Sequence, residues 1–120
     1  MAMRDVVFPE GRQDLYNRNR YSPAVRANGF LFVSGQVGSR EDGSPEPNLK
    51  TQVRRAFENL NAVLFAAGCT FEDVVDVTVF VVDPESNLET IWMCGTGILG
   101  RSALSCLDRG RRLLALWLSL

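Results

Sequence analysis

The chain has 120 residues, 46% of them apolar, and a formal net charge of −1. That is enough for one domain with a modest core, and it gives no overall electrostatic footprint for nucleic acid. No run of eighteen apolar residues occurs, so no helical membrane span is expected. The opening MAMRDVVFPEGR lacks an apolar core of signal-peptide length, which makes the cytoplasm the default.

Histidine is absent. Ser-His-Asp and Cys-His catalysis, HExxH zinc sites and any imidazole general base are therefore excluded within one chain. Cys69, Cys94 and Cys106 are odd in number and form no CxxC pair, so they read as buried thiols rather than a disulfide framework or a metal site.

In chain order, Asp5 to Phe8 reads as a short strand stopped by Pro9. Gly11 to Arg20 is polar and basic without a clear period. Tyr21 to Val25 is extended, because Pro23 disfavours helix at Ser22. Asn28-Gly29 is a tight-turn dipeptide, so Val25 and the run Phe30-Leu31-Phe32-Val33 read as a hairpin. Apolar residues at four successive positions predict a strand buried on both faces. Ser34-Gly35-Gln36 then breaks the run, and a strand-end glycine lets backbone come close to something else, here the wall of a small-molecule pocket.

Ser39 to Asn48 is a loop by composition. The spacing of Val53, Phe57, Leu60 and Leu64 predicts a helix from Leu49 to Ala67, with Asn48 as N-cap, Gly68 just past its end, and Arg54, Arg55, Glu58 and Asn59 off the stripe. Thr70 to Asp73 has the capping-box pattern. Val74 to Val82 is β-branched, with Val75, Val77, Val79 and Val81 on one face and Asp76, Thr78, Phe80 and Val82 on the wetter one. Asp83-Pro84 starts a second helix with Leu88, Ile91 and Trp92 on its apolar edge. The order predicts an α+β sheet with helices on one face.

The tail differs. Residues 1–92 carry nine Lys/Arg and thirteen Asp/Glu, whereas residues 93–120 carry four Arg and one Asp. From Met93 there is no strand alternation, and RRLLALWLSL reads as a short apolar helix. GTGILG lacks phosphate-loop spacing, and the RGRR run lacks the interleaved aromatics of a nucleic-acid site.

Several stretches in order resemble the RidA/YjgF family: Tyr21 thirteen residues before Ser34, then NGFLFVSGQVG, QVRRAFENLNAVLFAAGCTFEDVVDVTVFVVD and a Pro-initiated helix. The resemblance covers residues 4 to 92 of a single domain. It implies a chorismate-mutase-like α+β fold and a homotrimer with a small-molecule pocket at each subunit interface. It also implies hydrolysis of enamines or imines to a ketoacid and ammonia, with no metal or cofactor. The ligand-binding residues carried over are Tyr21, Ser34, Gly35 and Gln36; catalytic residues are not assigned.

The family ends in two more strands, one bearing an arginine for the substrate carboxylate and one a glutamate for the attacking water. This sequence has neither segment, so these strands are expected to be missing or altered. Read one base out of frame, the codons of Cys94 to Leu99 permit Val-Val-Pro-Glu-Tyr-Trp. Those of Ser105 to Leu118 permit Pro-Val-Leu-Thr-Ala-Val-Gly-Val-Ser-Trp-Leu-Tyr-Gly-Phe. The tail thus resembles a frameshift of the family's tail, and even the restored text carries leucine in the arginine slot. Without a guanidinium there is no bidentate grip on a carboxylate. Arg18 and Arg20, close to Tyr16 and Tyr21, are the substitute cations considered. Three functions stay open: a metal-free imine or enamine hydrolase, a non-catalytic ligand-binding or chaperone-like trimer, and an endoribonuclease, against which the acidic body argues.

Overall fold

A computed structural model describes residues 5–99, 104–106 and 116–119. The elements are β1 (Asp5–Val7), α1 (Gln13–Asn19), β2 (Ala24–Ala27), β3 (Phe30–Gln36), α2 (Leu49–Ala66), a 3₁₀ turn (Phe71–Asp73), β4 (Asp76–Val79), α3 (Pro84–Leu99), β5 (Leu104–Cys106) and β6 (Leu116–Ser119). The strands form one sheet in the order β1-β2-β3-β6-β4-β5, antiparallel throughout except for β4 with β5.

Two crossovers set the layering. β3 and β4 are both antiparallel to the β6 that lies between them, so α2 links two parallel strands; α3 does the same between β4 and β5. Both crossovers step the same way along the sheet, and a right-handed connection puts both helices on one face. The fold is the expected α+β sheet with helices on that face.

Local chemistry explains the elements. At the β2–β3 turn Asn28 and Gly29 take φ of 57° and 81°, the paired left-handed residues of a two-residue hairpin. The Asn48 carboxamide accepts the Thr51 N–H at 2.9 Å and caps α2, and Gly68, at φ 75°, lets the chain leave it. Thr70 and Asp73 make the reciprocal cap: the Asp73 carboxylate accepts from the Thr70 N–H at 2.8 Å, and the Thr70 hydroxyl from the Glu72 N–H at 3.3 Å. The core is the α2 stripe of Val53, Phe57, Leu60, Val63 and Leu64 against Leu31, Val33, Val77, Val79 and Ile91.

Several expectations are corrected. The β3 run is not buried on both faces of the chain. Leu31 and Val33 are 5% and 4% exposed, but Phe30 and Phe32 are 53% and 51% exposed, because both helices cover the same face and strand side chains alternate. Gln13–Asn19 is a helix despite its weak pattern: tertiary packing of one residue, Tyr16, stabilises it more than propensity does. Asn59 lies off the stripe as expected but is buried all the same, its Nδ2 donating to Val37 O at 2.8 Å and Ser39 O at 3.0 Å.

The tail also departs from expectation. α3 runs on to Leu99, and two short strands follow, β5 and β6, so the end of the sheet is altered in sequence and not missing. Leu116–Ser119 is a strand, not part of a helix, because β3 and β4 otherwise face each other with open backbone N–H and C=O groups. Of the three thiols, Cys69 is half-buried at the edge of the core; the side chains of Cys94 and Cys106 lie outside what is described.

Candidate functional site at the exit of β3

The site grows from a fault in the sheet. Val33 pairs with Leu118 and Gln36 with Leu116, so three steps along β3 match two along β6. One extra residue is accommodated at Ser34-Gly35, a bulge of the kind that re-aims side chains beside functional clefts. Ser34 turns back to the segment before β2: its N–H donates to Pro23 O at 2.9 Å and its hydroxyl to Ser22 O at 2.5 Å.

α1 brings the aromatic partners. Arg20 ends the helix at φ 58°, and the Tyr21 N–H donates back to Tyr16 O at 3.3 Å. This reversal stacks the Tyr21 ring edge-on against Tyr16, with centroids 4.9 Å apart at 71°. Tyr16 is 2% exposed; Phe8 also meets it edge-on, with centroids 6.4 Å apart. Its phenol donates to Gln36 Oε1 at 3.4 Å, and Gln36 Nε2 donates to Ser34 O at 3.1 Å. Four residues before Tyr16, one helical turn back, Arg12 donates from Nη2 to Ser39 O at 3.1 Å.

The electrostatics keep both phenols protonated. Burial pushes Tyr16 above the ordinary tyrosine value, against the opposing pull of the Gln36 hydrogen bond and the Arg12 charge. Burial also raises Tyr21, aided by Tyr16 and opposed by Arg12. At neutral pH the pair therefore offers donors, not phenolates.

Of the residues expected from sequence, Tyr21, Ser34 and Gln36 are brought into one cluster, with Gly35 between the last two at the bulge. They differ in access. Tyr21 is exposed, Ser34 and Gly35 are half-buried, and Gln36 is buried with its amide engaged by Tyr16 and Ser34. Arg18 and Arg20 are exposed, and the cation that joins the cluster is Arg12 instead. The clearest backbone approach falls three residues beyond Gly35: a Cβ on Gly38 would lie 2.5 Å from Gln52 Cα and 2.7 Å from its carbonyl carbon. Tyr16 is the hub that sequence reasoning passed over; its four-residue spacing from Arg12 is matched by Arg20, so spacing alone did not mark it. Among the described residues, no three His, Cys, Asp or Glu side chains are grouped to hold a metal ion, and no helix is long and apolar enough to cross a membrane.

A separate cleft of about 430 Å³ opens at the other end of β3, lined by Arg26, Phe30, Leu31, Cys69, Asp73 and Val75 among others. It shares no residue with the tyrosine cluster.

A sheet backed by two helices, with a bulged central strand carrying Ser-Gly beside two protonated tyrosines, defines a small α+β protein with a polar strand-end site. Comparison with known proteins makes this specific: residues 11–93 match the family model described as endoribonuclease L-PSP, and the chain belongs to this family, RidA/YjgF. It is similar to the RutC family protein YjgH of Escherichia coli K12, 60% identical over 91 residues, 76% of this chain and 70% of that one. A solved structure of a protein YJGH superposes with a TM-score of 0.87 at 44% identity, over 97% of this chain and 94% of that one. A 2-iminobutanoate/2-iminopropanoate deaminase of Mus musculus is 38% identical over 65 residues, 52% of this chain and 48% of that protein.

Proposed function

We propose that the chain is a small-molecule-binding protein of its family that hydrolyses reactive imines or enamines at the Tyr21, Ser34, Gly35 and Gln36 cluster. One observation carries the reading: the bulge at Ser34-Gly35 and the reversal at Arg20 converge a hydroxyl, strand-end backbone groups and protonated phenols on one spot. The similarity to a 2-iminobutanoate/2-iminopropanoate deaminase supports the chemistry. Water adds to the imine carbon, the C–N bond breaks, and ammonia leaves with a ketoacid; an enamine first takes a proton to become the imine. The Tyr21 phenol donates a hydrogen bond to the ligand or its water, and Ser34-Gly35 forms the pocket floor.

The working form is a homotrimer with the cleft between subunits. Exposed Phe30, Phe32 and Val6 on the sheet face opposite the helices support that assembly. The tail from Met93 is a frameshifted version of the family's tail. The end of the family match at residue 93 supports this; codons that do not spell the family's segment one base out of frame would refute it. The test of function is ammonia release from freshly generated 2-iminopropanoate. Acceleration over buffer by pure protein is expected, and its absence rejects hydrolysis.

A second reading, a binder without turnover, is favoured by the commitment of the polar groups. The Ser34 proton goes to Ser22 O, and both ends of the Gln36 amide are engaged. That arrangement suits a shaped, pre-organised pocket better than a proton relay. Saturable binding of 2-oxobutanoate without ammonia release from the imine would select it.

A further inference from the structure

Among the described residues, Arg12 is the buried charge that its own neighbours leave least accounted for. It is 9% exposed, a depth at which arginine is found almost only with a partner. Yet among the described residues its guanidinium makes one hydrogen bond, to a neutral acceptor, the Ser39 carbonyl, and no ion pair. The contrast is within the same chain: Glu46, equally buried, is held by both Arg40 and Arg55.

The unused part of the guanidinium is not walled in. Among the described residues, no side-chain nitrogen or oxygen is both fully buried and without a hydrogen bond. Nε and Nη1, which make no hydrogen bond among the described residues, therefore keep contact with accessible space. Arg12 precedes α1 and shares a face with Tyr16, whose phenol meets Gln36, three residues before Ser39. Its positive charge acts on both Tyr16 and Tyr21. A mostly desolvated cation with spare donors beside a polar strand-end site is an anion receptor.

Building on the proposed pocket, we infer that Arg12 is its specificity-determining residue, selecting small ligands that carry a carboxylate and gripping that group through the guanidinium N–H donors free of Ser39. The ligand's reacting end then lies toward Tyr21 and Ser34. The helical turn between Arg12 and Tyr16, about 6 Å, suits a ligand of three or four carbons.

The test compares two probes of the same shape, 2-oxobutanoate and 2-oxobutanamide, by titration of the full chain. The unaltered protein is expected to bind the carboxylate at least about tenfold more tightly than the amide. Arg12→Met is expected to weaken the carboxylate about tenfold to a hundredfold and leave the amide within about twofold. Arg12→Lys keeps the charge without the planar fork and is expected to recover only part of the loss. Arg54→Met, on the exposed face of α2, serves as the control and should change neither.

Equal affinity of the unaltered protein for both probes overturns the inference while leaving the pocket standing. Loss of both probes to the same degree in Arg12→Met also overturns it, because a residue that merely ties α1 to the Ser39 loop would act that way. If Arg12→Met does not fold, the comparison in the unaltered protein and in Arg12→Lys decides alone. Binding of neither probe by the folded, unaltered protein rejects the pocket itself.

Discussion

Gly38→Ala should be among the most damaging single-methyl changes in the chain. Gly38 sits where the exit of β3 crosses the first turn of α2. A Cβ there meets Gln52 backbone, with Cα at 2.5 Å and the carbonyl carbon at 2.7 Å. Ordinary contact needs about 3.5 Å, so helix and strand exit must separate by nearly 1 Å, and no side-chain rotation relieves the clash. Overpacking typically costs about 1–3 kcal/mol, and a rigid backbone neighbour puts this site at the upper end. The alanine recovers about 0.4–1 kcal/mol from the unfolded chain, leaving a net loss of about 2 kcal/mol. With a urea m-value near 1.5 kcal/mol/M, within the usual range for small proteins, the midpoint should fall by about 1.3 M at fixed protein concentration. The same shift strains the Gly38 O to Glu46 N–H bond (2.9 Å) and the Ser39 carbonyl that Arg12 and Asn59 share, so ligand affinity should drop as well. A midpoint within about 0.3 M of the parent's would refute the close approach of β3 and α2, because uncertainty in a measured midpoint is smaller than that.

Asn59→Ala removes two hydrogen bonds, to Val37 O and Ser39 O, but each carbonyl keeps a second donor, the Ser39 N–H and Arg12 Nη2; a loss of about 1 kcal/mol is expected in denaturant titration. Glu46 gives a pH dependence: burial pushes its carboxyl up, but the Arg55 and Arg40 hydrogen bonds and charges outweigh this and hold it below the ordinary glutamate value. A group with a depressed folded pKa stabilises the fold above its unfolded pKa and loses that contribution as pH falls through the folded one. Stability measured through the acid range should therefore decline, and Glu46→Gln should flatten the decline. Phe32→Asp, on the exposed sheet face, should lower the mass seen by light scattering from that of the proposed trimer toward monomer while preserving helical circular dichroism; an unchanged mass would remove that face from the proposed interface.

Legibility from sequence followed how local each determinant was. The hairpin turn, the α2 stripe with its Asn48 cap and Gly68 exit, and the Thr70 capping box are all set by residues within a few positions of one another, and all were readable. α1 was not, because its stabilisation comes from burying Tyr16 among Phe8, Tyr21 and Gln36, contacts spread over 28 residues. The burial of Asn59 was missed for a related reason: it lies off the apolar stripe, but a nearby loop brings two carbonyls over it. The tail strands were invisible to patterning because Leu116–Ser119 is stabilised by the slot between β3 and β4, not by its own alternation. At the site, Ser34-Gly35 was legible as a strand break. Its role as a bulge was not, since that requires the register of a partner more than 80 residues away. Arg12 carries no sequence mark that separates it from Arg18 and Arg20; only its depth does.

The location of the site is the central claim, and the two ends of β3 offer a direct contest. Backbone amide chemical shifts of the full chain, followed during titration with 2-oxobutanoate, would report which end responds. The account predicts saturable shifts centred on Tyr16, Tyr21, Ser34, Gly35 and Ser39. Shifts centred instead on Arg26, Gly68, Cys69 and Asp73, the cleft at the hairpin end, would contradict it.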